Sequence, residues 1–192
     1  MDLPLRVIEL DTELTLRRFE GEADLPEYFR VIEESLEHLR PWMSWIADHS
    51  RERTAEFLAA RPERWESGTD FTYAVVLDGV IVGACGLFRR EGTADGAREI
   101  GYWLHPGATG RGVASRSVVA LVGQAFRLPG VDYVEIVHDL ANRASGAVPA
   151  RLGFTADVRR PAERLAPAES GEEQVWRLTR GQAEERAATG TP

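Results

Sequence analysis

From Glu99 to Phe126 the chain reads EIGYWLHPGATGRGVASRSVVALVGQAF: an alternating strand pattern, a turn with glycines at 107, 110 and 112, and a helical pattern from Val113. Glycines let neighbouring backbone N–H groups converge, and the first turn of a helix adds unpaired donors and a partial positive charge. Such a nest suits a phosphate or pyrophosphate. Charge points the same way: Ile100 to Val131 holds three arginines (Arg111, Arg116 and Arg127) and no acidic residue, in a chain of net charge −8. Arg111 and Arg116 can add charge-assisted contacts to a bound anion. A plain tight turn would explain the glycines but not the segregation of charge.

The rest of the pattern places this segment in a mixed sheet. Glu13 to Phe19 alternates as a strand. Leu25, Phe29, Ile32, Leu36 and Leu39 recur at helical spacing from Asp24, a candidate N-cap, and end at Pro41. RPWMSWI then puts Trp42 and Trp45 on a loop. A second helical pattern through Phe57, Leu58 and Trp65 contains Pro62, which should kink or divide it. Phe71 to Leu77 and Val80 to Phe88 flank Asp78-Gly79, a strong hairpin signal. A loop from Glu91 to Arg98 precedes the strand Glu99 to Leu104. The helix from Val113 should bury Ala114, Val118, Leu121, Val122 and Ala125. The strand Tyr133 to His138 follows it, and a helical crossover makes those two strands parallel. A short helix near Ala144 to Leu152 and strands near Phe154 to Arg159 and Gln174 to Thr179 complete the order. The expected fold is α/β of the α+β kind: a mostly antiparallel sheet of about six to seven strands, with one parallel pair. Residues 1–180 form one domain, and 181–192 a disordered tail.

Composition removes several functions. No apolar run approaches the ~20 residues of a membrane span, and the N-terminus lacks the regions of a signal peptide, so a cytoplasmic protein away from membranes is expected. Cys85 is the sole cysteine, and His38, His49, His105 and His138 are scattered, so no metal is expected. An acidic chain is a poor general nucleic-acid binder; the charge suits a cationic or amine substrate better.

Four segments together resemble the GCN5-related N-acetyltransferases (GNAT), in particular the ribosomal-protein N-terminal acetyltransferase (RimJ/RimL) type. TGRGVA is similar to the family's acetyl-CoA turn at Gly112 and Ala114, with Thr109 departing from its first position. EIGYWLHP resembles the strand leading into that turn. NRASGAVPARLGF resembles the family's N-x-x-S and L-G-F segment through Asn142, Ser145, Leu152, Gly153 and Phe154. HLRPWMSWI resembles the tryptophan-bearing substrate loop of the ribosomal subgroup.

The resemblance implies a splayed parallel pair, helices on both faces and transfer of an acetyl group from acetyl-CoA to an amine in a ternary complex. Acetyl-CoA would be held by Thr109, Gly110, Arg111, Gly112, Val113, Ala114 and Ser115, with Asn142 on its arm. Backbone N–H groups near Leu104 and His105 would face the thioester oxygen. With Thr109 in the turn, backbone contacts would hold the pyrophosphate. The chemistry needs a neutral amine, a stabilised oxyanion and a protonated or stabilised leaving thiolate. Glu99 resembles the family's general base, and alternation puts it on one face with Gly101 and Trp103, opposite Ile100, Tyr102 and Leu104. Glu163 resembles the base of the ribosomal subgroup. Ser145 resembles the serine that serves the departing sulfur. Pro149 falls inside that helix, which should start late or bend. Trp42, Trp45 and Trp103 could line the acceptor pocket, the two on the loop most directly.

The acceptor expected first is a protein or peptide N-terminus. Small-molecule amines of antibiotic or polyamine type come next and lysine side chains third, and a catalytically silent CoA-binding module is a further alternative. Gly110 and Gly112 also approximate a dinucleotide-binding G-x-G-x-x-G, but Ser115 stands in place of its third glycine and no second βαβ half follows. An exposed sheet edge would allow a homodimer.

Overall fold

The computed structural model describes residues 3–89 and 96–189. Strands β1 (Val7–Glu9), β2 (Leu14–Arg18), β3 (Asp70–Leu77), β4 (Val80–Phe88), β5 (Ala97–Leu104), β6 (Tyr133–Asp139), β7 (Thr155–Pro161) and β8 (Glu172–Thr179) form one sheet in the order β1-β2-β3-β4-β5-β6-β8-β7. All neighbours are antiparallel except β5 and β6. The hairpin of β3 and β4 turns at Asp78 and Gly79, whose φ values of 52° and 80° match the twist of the strands it joins.

The eighth strand is β1. Three residues are too few to show a period; β1 is fixed instead from outside, where Leu5 N–H donates to Gln124 Oε1 at 2.9 Å and Tyr73 OH donates to the Leu5 carbonyl at 2.8 Å.

Helices cover both faces. On one, α5 (Val113–Ala125) and α6 (Arg143–Arg151) pack Val113, Val118, Leu121 and Val148 against Ile100, Leu104, Val134 and Ile136. On the other, α1 (Leu25–Glu33), α2 (Leu36–Leu39) and α3 (Arg51–Ala59) bury Tyr28, Val31, Ile32, Leu39 and Leu58 over Ala74, Ile81 and Ala84. The alternation expected for β5 is observed, with Ile100 and Leu104 in the first cluster and Trp103 packed on the second.

Several details correct the expectations. The single helix expected from Asp24 to Pro41 is two, because Ser35 Oγ back-bonds to the Val31 carbonyl at 2.6 Å. Asp24 makes no side-chain cap; its buried carboxylate takes Arg17 at 2.7 and 2.9 Å and the Glu20 N–H at 2.7 Å. The pattern containing Pro62 does divide, into α3 and α4 (Arg61–Glu66). The tail from Gly181 is helix α7 (Arg180–Thr189), docked because Arg180 donates to the carbonyls of Phe126 and Val131 at 2.6 and 2.7 Å. Of the loop expected over Glu91 to Arg98, residues 91–95 lie outside the described residues, while Ala97 and Arg98 open β5. No helix among the described residues is long and apolar enough to cross a membrane.

Candidate active site

The parallel ladder is short. β5 and β6 pair at Ala97↔Tyr133, Arg98↔Val134 and Glu99↔Glu135, and no rung follows, although β5 runs on to Leu104 and β6 to Asp139. On its other side β5 stays paired with β4 from Glu99 to Leu104, and His105 N–H donates to the Val82 carbonyl at 2.7 Å. Gly83 makes that approach possible, since a Cβ there would lie 2.2 Å from the Trp103 carbonyl oxygen. Backbone alternation from the His105 bond turns the N–H groups of Tyr102 and Leu104 toward the gap. The gap therefore offers Leu104 as a main-chain donor, but not His105, whose N–H is already engaged by β4.

Beyond Leu104 the chain turns through Gly110 and Gly112, both left-handed with φ of 72° and 73°, and nothing lies within 4 Å of a Cβ at either position. Helix α5 starts at Val113 with no side-chain cap, and its Gly112 carbonyl accepts from Arg116 N–H at 3.0 Å. The N–H groups ahead of Arg116 have no turn of helix before them to accept their bonds. Open glycines and uncapped donors fit a pyrophosphate.

Side chains contribute less to this turn than the charge pattern implied. Thr109 Oγ1 donates to the Pro106 carbonyl at 2.7 Å, and His105 Nδ1 accepts from Gly107 N–H at 3.0 Å. Arg111 faces Asp78 at 3.9 Å, and Arg116 is paired with Asp11. The acids missing from the local sequence are supplied by other strands and turns. Sequence reading also missed Arg151, which comes from the end of α6 to donate to Ser115 Oγ at 3.1 Å. Nothing in a separation of 36 residues announces that contact.

A cavity of about 670 Å³ opens where the strands part, lined from both faces of the sheet. The three expected tryptophans, Trp42, Trp45 and Trp103, are all in its wall, with Tyr28, Phe57 and Phe88. Trp103 lies 5.9 Å from Tyr28 and 6.1 Å from Trp45, centroid to centroid. Asn142 and Ser145 line it too, as do Tyr102, His138 and four carboxylates not expected in an acceptor site: Asp48, Asp139, Glu169 and Glu173.

Each polar group has a definite setting. Asn142 caps α6, accepting from Ser145 N–H at 3.1 Å, so this helix starts on time at Arg143 despite Pro149. Tyr102 OH donates to the Ser145 carbonyl at 3.0 Å and lies 3.5 Å from Ser145 Oγ; burial pushes its pKa up to about 12. Both ring nitrogens of His138 are engaged. Trp176 Nε1–H donates to its Nε2 at 2.9 Å, which leaves the ring proton on Nδ1 to meet the Asp139 carbonyl at 2.7 Å. Burial would raise the pKa of Asp139, but bonds from the backbone of Ser170, Ala141 and Gly171 and from the Ser170 hydroxyl outweigh it and hold the carboxyl below its usual range. Those bonds pin the β7–β8 connection, which is tied to the tryptophan loop where Ala168 N–H donates to the Pro41 carbonyl at 3.0 Å. Glu169 Oε2 accepts from Leu165 and Ala166 N–H at 2.6 and 2.9 Å.

The expected bases stand apart from the cavity wall. Glu99 is half-buried on the last parallel rung, opposite Glu135, and Glu163 is exposed beyond β7; neither lines the cavity. Among the described residues no group of His, Cys, Asp and Glu is arranged to hold a metal ion.

The profile of the "Acetyltransferase (GNAT) domain" family matches residues 13–155, from β2 into β7. The chain belongs to the GNAT family. Membership makes it an acetyl-CoA-dependent N-acetyltransferase, and the mixed sheet with its one parallel pair is the GNAT fold. No curated protein matches the chain in sequence. Solved structures do match in fold. The Salmonella typhimurium acetyltransferase that modifies the N-terminal serine of ribosomal protein L7/L12 is 21% identical over 90% of this chain and 98% of its own, with a TM-score of 0.80. Mycobacterium smegmatis RimJ, solved with CoA-disulfide, is 22% identical over 98% of this chain and 93% of its own, with a TM-score of 0.79. The microcin C7 self-immunity acetyltransferase MccE, solved with acetyl-CoA and AMP, is 18% identical over 92% of this chain and 98% of its own, with a TM-score of 0.82.

Proposed function

We propose that this GNAT enzyme acetylates the N-terminal amine of a peptide or protein. The reading is carried by one observation: an aromatic cavity rimmed by the tryptophan loop opens onto the gap between β5 and β6, beside Ser145. An apolar, aromatic cavity with carboxylates on its wall suits an ammonium group. RimL- and RimJ-type neighbours share the fold, and the S. typhimurium one acts on an N-terminal serine. A small-molecule amine is the second reading. The cavity's volume is that of a drug-sized ligand site, and MccE, a neighbour in fold, is a microcin self-immunity enzyme.

Acetyl-CoA supplies an activated acetyl group, and the bond made to the amine nitrogen replaces the bond to sulfur. The turn from Thr109 to Ser115 holds the pyrophosphate, chiefly through main-chain N–H groups, with Arg111 and Arg116 at its margin. Leu104 N–H faces the thioester oxygen, and Asn142 orders the start of α6. Trp42, Trp45 and Trp103 enclose the acceptor. A carboxylate takes the proton from the acceptor's ammonium, directly or through water, and the neutral amine so formed attacks the thioester carbon. Glu99 and Glu163 are candidates by position in sequence, and Glu169 joins them because it lines the cavity with one oxygen already fixed by two N–H groups. Ser145 Oγ donates toward the departing sulfur. A second copy would pair along β7, the exposed edge strand.

The test is release of thiol from acetyl-CoA against matched peptides with free or blocked N-termini and against small amines. Turnover confined to free N-termini is expected; turnover of amines alone moves the assignment to the second reading. Glu99→Gln, Glu163→Gln and Glu169→Gln are then compared across pH, and the variant that loses the rise of kcat/KM with pH marks the proton acceptor.

A further inference from the structure

Pro149 stands in the second turn of α6 and is the residue whose N–H, in any other side chain's place, would bond to the Ser145 carbonyl four positions back. That carbonyl is nevertheless not left without a donor. Tyr102, from the open half of β5, gives it the hydroxyl hydrogen at 3.0 Å. The N–H of the same serine is held by the Asn142 side chain at 3.1 Å. The main chain of Ser145 is thus gripped at both ends by side chains from outside the regular helix, and its hydroxyl lies 3.5 Å from that of Tyr102, on the cavity wall.

We propose that Pro149 and Tyr102 are a positioning pair for Ser145: the proline withholds the helical N–H that would claim the serine carbonyl, and the tyrosine hydroxyl takes its place and aims the serine into the gap between β5 and β6. The inference rests on the reading that Ser145 serves the departing sulfur. It explains a proline that would otherwise only weaken the helix. It also explains why a tyrosine stands where the neighbouring positions on that face of the strand, Ile100 and Leu104, are aliphatic. Burial keeps the Tyr102 hydroxyl protonated at any working pH, so it remains a donor to the carbonyl. If Tyr102 served packing alone, its ring would suffice and the hydroxyl would be dispensable.

Tyr102→Phe keeps the ring and removes the bond; Pro149→Ala restores the helical N–H. Steady-state rates are measured for both variants, for Ser145→Ala and for the double variant Ser145→Ala/Tyr102→Phe, and exchange of the amide gained at position 149 is followed in the unliganded Pro149→Ala protein. Tyr102→Phe should lower kcat about tenfold while the KM for acetyl-CoA stays within about twofold, the signature of lost orientation rather than lost binding. Pro149→Ala should lower kcat about threefold, with the new amide protected from exchange because it has taken the Ser145 carbonyl. The double variant should be no slower than Ser145→Ala alone. Wild-type kcat in Tyr102→Phe or Pro149→Ala, an unprotected amide at position 149, or losses that multiply in the double variant would each overturn the positioning pair. Ser145→Ala at full rate would instead remove the role of the serine itself, whereas a slow Ser145→Ala beside unimpaired Tyr102→Phe and Pro149→Ala would remove only the pair.

Discussion

The donor turn and the acceptor cavity adjoin in space but are built on opposite plans. As proposed, the turn uses one continuous stretch, Leu104 to Ser115, and recognises through its main chain. The cavity draws side chains from α1, the tryptophan loop, α3, β4, β5, β6, α6 and the β7–β8 connection. A main-chain site depends on whether φ and ψ can be reached; a side-chain site depends on what each residue is. Substitution should therefore damage the two halves in different ways.

The largest effect is expected at Gly112. Its φ of 73° is closed to a β-branched residue, so Gly112→Val must reshape the first turn of α5. We expect kcat/KM for acetyl-CoA to fall about 100-fold, with loss of the thermal shift that acetyl-CoA produces. A Gly112→Val enzyme of normal affinity would show that the turn does not hold the pyrophosphate through its backbone.

Trp45→Ala tests the other plan. Trp45 is 41% exposed at the cavity and tilted against Trp103, so truncation opens the acceptor wall without touching the turn. The KM for the acceptor should rise about tenfold, while calorimetry should find acetyl-CoA affinity within about twofold of wild type. Equal losses on both sides would break the division drawn between them.

Asp139 joins the plans, since its carboxylate pins the connection that closes the cavity. Asp139→Ala should raise the acceptor KM about fivefold and lower stability by about 1–3 kcal/mol as its N–H partners lose their acceptor. The pH dependence has a definite sign. Because the folded pKa is depressed, this contribution is fully present above the unfolded value of about 3.9 and is lost as pH falls through the folded one. The stability difference between wild type and Asp139→Ala should therefore shrink as pH falls below about 4.

The smallest effect is expected from Arg111→Ala. Its guanidinium is already opposite Asp78, so the loss in acetyl-CoA affinity should stay below about threefold and diminish with salt. A loss approaching that of Gly112→Val would restore the arginine to the centre of the donor site.

The same contrast accounts for what could be read from the residues beforehand. The hairpin at Asp78-Gly79, the parallel crossover and the turn at 107–112 were legible because each is written in adjacent residues whose backbone needs are local. The tryptophan loop was legible as a pattern, and its two tryptophans line one cavity with Trp103 of β5. What escaped was whatever depends on strangers in sequence meeting in space: Asp11 and Asp78 reaching the arginines of the turn, Arg151 reaching Ser115, and Asp139 holding Ser170. The C-terminal helix was missed for a related reason. Its residues are polar, and what orders it is Arg180 bonding to carbonyls of Phe126 and Val131, about 50 positions upstream.

The early end of the ladder between β5 and β6 has a consequence for descent. The donors it leaves facing the gap, at Tyr102 and Leu104, are amide hydrogens present in every residue but proline. No other point mutation can delete them, and only a shift of the strand can misplace them. A lineage can therefore exchange nearly every side chain around this notch, trying new acceptors as it goes, without losing the donors proposed to face the thioester.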